Sequence, residues 1–311
     1  MTQTSEKQIN IAGFAIGLGG AILFSTKAIL VKLAFHSTHT DAVTLLALRM
    51  LFSLPFYVVI GIIASQKMGV EKLSGKQWFY VALMGILGYY LSSLFDFIGL
   101  QYVSAGLERL ILFLYPTFSI LLNTWFFKSK LTKIQLIALL LTYSGIGLAY
   151  FGELKIDTSN PNFYYGSLMI FLCSITYSFY LVGTGRMVDK VGATRYTAYA
   201  MLFATIGIFV HYALTKPLTG FVFTPSLIGY SLALAMIATV IPSFMISNAM
   251  KRIGSNNVSI ITSIGPVSTI LQAHFILNEK IMTEQIIGTL LVLIGVILIG
   301  WKSSREKLVE P

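Results

Sequence analysis

Five charged side chains interrupt long apolar stretches of this sequence. They are Lys27, Arg49, Asp96, Glu108 and Arg109. A charged group within a lipid bilayer costs on the order of several kcal/mol unless it is paired, hydrated or near an interface, so such groups typically bind ligands, gate a pathway or carry protons. Three cations and two carboxylates leave a net positive charge, which suits a small anion or zwitterion better than a large organic cation.

Two uses of these charges remain open at this point. In the first, Arg49 pairs with Asp96 or Glu108, and the charges form an outer gate or the upper wall of a binding site. In the second, Lys27, Glu108 and Arg109 extend toward the lipid headgroups, where the ends of long side chains reach water. Asp96 and Glu108 are also the candidates for a proton-carrying group.

Polar and aromatic side chains extend the candidate site along four predicted helices. Besides the charges, the candidates for substrate binding or gating are Ser93, Tyr115, Ser119, Tyr177, Ser178, Thr262 and Gln272. Small and hydroxyl residues also pack helices together in membranes, so helix packing is the competing interpretation. Pro116 and Pro266 stand in mid-span, where we expect each to kink a helix and free a backbone carbonyl.

The sequence gives no support for catalytic or cofactor chemistry. Its four histidines are scattered, and its one cysteine, Cys173, excludes an intramolecular disulfide and a cysteine metal cluster. The nucleotide-binding pattern GxxxxGK[ST] does not occur. We therefore predict no metal, no cofactor and no enzymatic activity. A membrane-embedded transferase is the alternative from another class, but the short, lysine-bearing loops lack the Asp or His clusters that such enzymes usually show.

Composition indicates an integral membrane protein made of helices. Of the 311 residues, 56% are hydrophobic and 11% are charged, against about 25% charged in soluble proteins. Apolar stretches of roughly 20 residues predict membrane-spanning helices, since a lipid-facing backbone must satisfy its own hydrogen bonds. The ten predicted spans cover residues 9–33, 41–64, 77–99, 104–126, 133–151, 164–185, 194–214, 226–249, 256–277 and 282–301.

The lysines and arginines predict the orientation of these spans. If the N-terminus is cytoplasmic, 15 of the 22 lie in inside segments. The outside segments carry four, which are Lys32, Lys155, Lys216 and Lys280. Cytoplasmic loops of membrane proteins are enriched in these residues, so we predict that both termini are cytoplasmic. The formal charge of +10 is then explained without nucleic acid as a partner.

An internal repeat divides the chain into two units, 1–155 and 156–311. At a shift of 150 residues, positions 114–147 align without a gap with positions 264–297, so that Pro116 meets Pro266 and Gly145 meets Gly295. Each unit holds five spans. Because five is odd, the second unit enters the membrane from the opposite side, which predicts an inverted 5+5 repeat around a central cavity, an architecture typical of secondary transporters.

The charge cluster does not follow the repeat. The positions of the second unit that align with the five charges are Tyr180, Leu202, Ile246, Val258 and Ser259. The packing of an inverted repeat therefore does not require these charges. Their presence in only one unit indicates a role in binding or gating.

The sequence also resembles a known family. The stretch 247–300 is similar to the C-terminal repeat of EamA-type members of the drug/metabolite transporter superfamily, in the small residues Ser255–Asn257, Pro266, the Asn278–Glu279–Lys280 turn and the spacing of Gly288 and Gly295. The stretch 99–132 resembles the matching N-terminal repeat. The resemblance implies ten helices in a 5+5 inverted arrangement, a central cavity and transport by alternating access.

One position departs from the family pattern. The glutamate that the family commonly has after helix four is Ser129 here, whereas Glu279 is present after helix nine. We expect this glutamate to cap and orient the next helix. The serine at position 129 should therefore affect the geometry of that helix more than transport.

Together these observations predict a secondary transporter in the cell inner membrane. The predicted substrate is a small polar metabolite, an amino acid or a related zwitterion or anion, and the predicted direction is export. Members of the family move amino acids, other metabolites, nucleobase-type compounds or drugs, so drug or nucleobase-type cargo is the alternative within the class. The predicted partners are the substrate and the lipid bilayer, and the protein is a monomer or a homodimer. Protons are a further partner if Asp96 or Glu108 couples transport to them; the alternative is facilitated exchange, which needs no titratable group.

Overall fold

All regular structure in the described part of the chain is helical. The computed structural model describes residues 11–66, 72–127, 133–156, 161–216, 223–253, 258 and 261–306, and these contain no strand. The sites named above at Ser129, Ser255–Asn257 and Ser259 lie outside the described residues. The α-helices are α1 (Ile11–Thr38), α2 (Ala42–Ser65), α3 (Gly75–Gly85), α4 (Ser92–Leu100), α5 (Ala105–Leu112), α6 (Tyr115–Phe127), α7 (Lys133–Ile156), α8 (Phe163–Val191), α9 (Ala193–Thr215), α10 (Pro225–Ala235), α11 (Ile241–Ile253), α12 (Gly265–Leu277) and α13 (Thr283–Glu306).

Eight helical stretches within the described residues are long and apolar enough to cross a bilayer. They follow the order of the first eight predicted spans, and three of them are composites: Gly75–Leu100, Ala105–Phe126 and Pro225–Ile246. The last two predicted spans overlap α12 and α13. The first residues of the predicted span 256–277 are only partly described, and Thr283–Gly295 of α13 is a shorter apolar helix. The prediction of an all-helical, multi-pass membrane protein is confirmed.

The first helix is longer than the sequence predicted. The expected end was near residue 33, but α1 continues to Thr38. His39 then takes a left-handed conformation with a φ of 50°, and Asp41 begins α2 by accepting hydrogen bonds from its first backbone amides. Lys32, which we counted with the outside segments, lies well within α1, where its Nζ donates to the Val103 carbonyl oxygen at 2.7 Å.

Several spans are interrupted rather than bent. A π-helical segment, Ile86–Leu91, joins α3 to α4, and another, Met236–Val240, joins α10 to α11. The helix containing Glu108 ends at Leu112, and α6 begins at Tyr115, so Pro116 lies in the first turn of a new helix. Pro266 likewise lies in the first turn of α12. Proline suits that place because its missing N–H has no partner there anyway. The two prolines thus begin helices after a break and do not kink continuous ones.

The interruptions recur along the chain at the spacing of the sequence repeat. The starts of α3 and α10, of the two π segments, of α6 and α12, and of α7 and α13 are each separated by 150 residues. The features compared are Gly75 with Pro225, Ile86 with Met236, Tyr115 with Gly265, and Lys133 with Thr283.

The helices of the first half of the chain (α1–α7) pack mainly against those of the second half (α8–α13). The most extensive pair is α7 with α13, followed by α2 with α9. Helix α1 packs against α11 and α12, and in the corresponding way α8 packs against α4 and α6. The interface between the halves therefore runs through the centre of the bundle, where α1 and α8 each lie against the other half.

One end of the bundle gathers polar contacts between helix termini. The Asp41 Oδ2 atom lies 3.1 Å from the Lys216 Nζ atom, which joins the start of α2 to the end of α9. At the same end, the amide of Ser104 donates to Glu153 Oε1 at 3.1 Å, and the amide of Ala105 donates to the Glu279 carboxylate. We call this end, defined by Asp41, Ser104, Lys216 and Glu279, the Glu279 end.

The contact between α7 and α13 generates a prediction about stability. A β-carbon on Gly145 would lie 2.5 Å from the Gly288 carbonyl oxygen, whereas Gly147 on the same helix has no such neighbour within 4 Å. Gly145→Val should separate the helices and destabilise the protein by about 1–3 kcal/mol, the usual cost of overpacking. Gly147→Val is the matched control and should leave the unfolding transition in detergent nearly unchanged. Equal losses in the two variants would contradict the close packing.

Candidate functional site

A cavity of about 390 Å³ lies where the two halves meet. Its wall is built from α1, α2, α4, α5, α8 and α11, together with the π segments and helix breaks between them. Eight of the predicted site residues line it: Lys27, Arg49, Ser93, Asp96, Arg109, Tyr115, Tyr177 and Thr262. The structure therefore brings charges from four different helices to one cavity.

The ion pair at the centre of this wall is formed by Lys27 and Asp96. Their Nζ and Oδ2 atoms lie 2.7 Å apart, and the Asp96 side chain is almost fully buried. Arg49, which we expected to pair with Asp96 or Glu108, forms no salt bridge in the described part of the chain. Lys27 takes that place because α1 crosses the bundle against the second half and directs its side chain back toward α4.

Arg49 is a buried cation with unused hydrogen-bond donors. Its side chain is 5% exposed, and its guanidinium carbon lies 5.4 Å from the centre of the Phe97 ring. That cation–π contact stabilises the charge, but the Nε and Nη1 atoms have no hydrogen-bond partner among the described residues. A buried donor without a partner is unfavourable, so this part of the wall is well suited to an anionic group.

Glu108 lies behind the cavity wall. It has no exposed surface and is therefore not extended to the headgroups. Its closest electrostatic neighbours are Asp96, Lys27 and Arg109. Two carboxylates carry only acceptors, so Glu108 and Asp96 can hydrogen-bond to each other only through a shared proton.

Arg109, the next residue, faces the cavity. Its guanidinium carbon lies 5.5 Å from the centre of the Phe113 ring. On its other side it is packed against Gly265 at the start of α12, where a β-carbon would lie 2.5 Å from the guanidinium. The glycine thus leaves the room that the arginine occupies. The neighbours Glu108 and Arg109 have different roles because consecutive helical residues point about 100° apart.

Aromatic side chains form the remaining wall of the cavity. The hydroxyl oxygens of Tyr89 and Tyr180 lie 2.8 Å apart, and the rings of Tyr115 and Tyr177 meet edge to face at 5.2 Å. A β-carbon on Gly88, in the first π segment, would overlap the Tyr180 side chain. This glycine therefore lets α8 approach closely, and Tyr177 of α8 lines the cavity.

Five polar residues of the wall are not among the predicted site residues. These are Tyr57, Tyr89, Ser92, Thr239 and Ser243. The repeat contained a signal for two of them, since at a shift of 150 residues Tyr89 aligns with Thr239 and Ser93 aligns with Ser243. Nothing in the local sequence distinguishes Tyr57 from the many aromatic residues that face lipid.

Three predicted site residues, besides Glu108, do not reach the cavity. Ser119 donates to the Tyr115 carbonyl oxygen at 2.8 Å, as hydroxyls within helices often do. Gln272 donates to Ser268 Oγ at 2.9 Å. Ser178 donates to the Ile175 carbonyl oxygen and lines a separate apolar groove between α6 and α8. The competing interpretation, helix packing, describes these residues better than substrate contact.

The comparisons with known proteins agree with this architecture. The model of the EamA-like transporter family matches residues 11–151 and 164–301. The chain belongs to this family. The resemblance stated from the sequence is thereby confirmed, and the protein is a membrane transporter. Within the described residues, no group of three His, Cys, Asp or Glu side chains is placed to hold a metal ion.

Relatives within the EamA-like family extend over nearly the whole chain. The uncharacterized transporter YcbK of Bacillus subtilis is 32% identical, over 91% of this chain and 92% of its own length. The uncharacterized inner membrane transporter YicL of Salmonella typhimurium is 22% identical, over 98% and 99%. A protein solved by crystallography superposes with a TM-score of 0.63 at 18% identity, over 95% of this chain and 98% of that one, which shows a shared fold.

The central ion pair generates a prediction about folding. Lys27→Met removes the cation that faces Asp96 and leaves two buried carboxyls, so it should destabilise the protein by about 3 kcal/mol, as the loss of one partner of a buried pair does. Removing both charges in Lys27→Met/Asp96→Leu should cost less than the single change. Unfolding in detergent measures both, and Lys76→Met, at an exposed lysine of α3, is the control. Additive costs in the double variant would show that the pair is not coupled.

Proposed function

We propose that this protein is a secondary transporter whose substrate is a small polar metabolite with an anionic group, such as an amino acid or a related zwitterion or anion. The observation that carries the proposal is the wall of the cavity, where Lys27, Arg49 and Arg109 face a single carboxylate, Asp96, among the described residues. With Glu108 behind the wall, the surface that a ligand meets has an excess of positive charge.

The size and geometry of the cavity support this substrate class. A volume of about 390 Å³ lies within the range of roughly 300–1,000 Å³ that holds small molecules. The unused donors of Arg49 match the two oxygens of a carboxylate, which a guanidinium can bind in a bidentate way. Asp96, held by Lys27, provides a nearby acceptor for the ammonium group of a zwitterion.

We further propose that the chain forms ten membrane-spanning helices in two inverted units, 1–155 and 156–311, and works by alternating access. The recurrence of helix starts and π segments at a spacing of 150 residues supports this repeat, as does the corresponding packing of α1 and α8. The distribution of lysine and arginine favours cytoplasmic termini, and the family favours the cell inner membrane. The Glu279 end then faces outward, and the substrate is exported.

A nucleobase-type substrate is the second candidate. It is favoured by the aromatic part of the wall, since Tyr57, Tyr89, Tyr115 and Tyr177 line the cavity and planar rings stack on aromatic side chains. Both candidates are compatible with proton coupling through Asp96 and Glu108, and with a monomer or a homodimer. In either case the protein moves its ligand without chemical change, so it is not an enzyme.

The test is a thermal-shift screen of the purified protein in detergent. Ligands that bind the folded state raise its melting temperature by mass action. We expect amino acids or organic acids to raise it, and cationic drugs to have no effect. In Arg49→Gln, the apparent affinity for the same compounds should fall roughly 10- to 100-fold, as expected for the loss of a charged hydrogen bond.

Arg252→Gln is the matched control for this screen. Arg252 is an exposed arginine of α11, its Nε bonded to Asn248 Oδ1 at 2.8 Å, and it does not line the cavity. Stabilisation by cations alone would overturn the anionic-substrate proposal, and stabilisation by nucleobases alone would favour the second candidate. Equal losses in Arg49→Gln and Arg252→Gln would remove Arg49 from the site. Uptake of the hit compound into proteoliposomes then tests transport.

A further inference from the structure

The carboxylate of Glu279 caps a helix in the other half of the chain. Both of its oxygens accept a hydrogen bond from the backbone amide of Ala105 at 3.1 Å, at the start of α5. The Lys32 Nζ atom of α1 lies 3.8 Å from Glu279 Oε1. A carboxylate at this position satisfies free backbone amides and interacts favourably with the helix dipole.

This contact differs from the one that the sequence predicted. We expected the turn glutamate to cap the next helix, α13, but there the side chain of Gln285 accepts from the amide of Met282. The turn that carries Glu279 is held in place by Asn278, whose left-handed conformation ends α12, and by His274, whose Nδ1 lies 2.9 Å from the Glu279 carbonyl oxygen. The carboxylate is thereby directed away from α13 and toward α5.

A second carboxylate on the same helix end allows a direct comparison. Glu153 of α7 accepts from the amide of Ser104 at 3.1 Å and from its hydroxyl at 2.6 Å. Glu153 and Ser104 belong to the same half of the chain, whereas Glu279 and Ala105 belong to different halves. A movement of one half relative to the other would therefore preserve the hydrogen bonds from Ser104 to Glu153 and break the Glu279 contact. The longer contact of 3.4 Å from Gln285 Nε2 to Glu153 Oε2, which also joins the two halves, would be lost with it.

The Glu279 contact lies beyond a closed layer at one end of the cavity. The cavity reaches Asp96 and Arg109, one or two helical turns below the start of α5. Buried residues from four helices lie between that wall and the Glu279 end. The nearly or fully buried residues of this layer are Val31, Ala34, Leu100, Leu107 and Ala273. Two of these belong to α1, and the others belong to α4, α5 and α12.

We propose that Glu279 is a gating residue, whose contact with the start of α5 holds the cavity closed at the Glu279 end and breaks when the cavity opens there. The inference rests on the proposed alternating-access cycle. Lys32, which also binds the Val103 carbonyl oxygen, stays with the first half and provides a counter-charge near the separated surfaces. Since α5 also carries Arg109, opening would move a charged residue of the cavity wall.

The thiol of Cys173 can report this movement without any added label site. Cys173 is the single cysteine of the sequence, it lines the cavity, and it is 2% exposed. A membrane-impermeant maleimide can reach this thiol only when the cavity is open to the face on which the reagent is added. The rate of labelling in sealed vesicles, measured separately from each face, therefore reports opening without any substrate.

Glu279→Ala should raise the rate of Cys173 labelling from the Glu279 end at least tenfold, because it removes charged hydrogen bonds that exist only in the closed state. Labelling from the opposite face should fall or stay the same. Glu153→Ala is the matched control, because the two bonds that Glu153 accepts from Ser104 lie within one half and only the 3.4 Å contact from Gln285 crosses to the other. Its labelling should rise far less than that of Glu279→Ala. Cys173→Ser gives the background, and the melting temperature shows that each variant is folded.

Three outcomes would overturn the gating role. The first is a Glu279→Ala variant that labels like the wild type from both faces. The second is an equal increase in Glu153→Ala, which would show that fraying of α5 is the cause. The third is faster labelling from both faces at once, which would indicate a leak through the bundle. None of these would affect the thermal-shift result at Arg49, so failure of the gate and failure of the substrate proposal are distinguishable.

Discussion

The cost of a charged group in lipid governs the arrangement of this protein. Lys27, Asp96 and Glu108 lie on three helices, and all three side chains turn away from the lipid into the interface between the halves. The ion pair of 2.7 Å between Lys27 and Asp96 requires α1 and α4 to lie together at that depth. The helices that shield these charges from lipid also form the wall of the cavity. Lys27 and Asp96, which the protein must bury in order to be stable, are therefore also residues that a ligand would meet.

Helix interruptions allow the charges to be shielded from lipid while they still face the cavity. The π segments and the breaks before Pro116 and Pro266 change the direction of side chains in mid-membrane, where a continuous helix would present one uniform face. Non-helical backbone is tolerated at that depth only where protein or a cavity surrounds it. The breaks accordingly lie at the cavity. Close glycine contacts, such as Gly88 with Tyr180 and Gly145 with Gly288, bring the uninterrupted helices near enough to seal the bundle around them.

The short helix α5 connects the end of the bundle to the cavity. Its first amides are bound by carboxylates from both halves, and its last turn carries Arg109 in the cavity wall. Glu108, one residue earlier, faces the Lys27–Asp96 pair from behind. A rigid helix of eight residues transmits a displacement at one end to the other, since its internal hydrogen bonds remain intact. In the proposed cycle, this helix would link access to the cavity with the position of its charges.

The sequence by itself determined the helical membrane class, the order of the spans and the repeat, because hydropathy and spacing encode these properties locally. It also named most of the charges and hydroxyls of the cavity wall. Only the tertiary structure decided which residues meet: that Lys27 rather than Arg49 pairs with Asp96, that Glu108 lies behind the wall, and that Glu279 caps a helix 174 residues away in the chain. Helical periodicity states which residues share a face of one helix, but the neighbour opposite that face depends on how all the helices pack together.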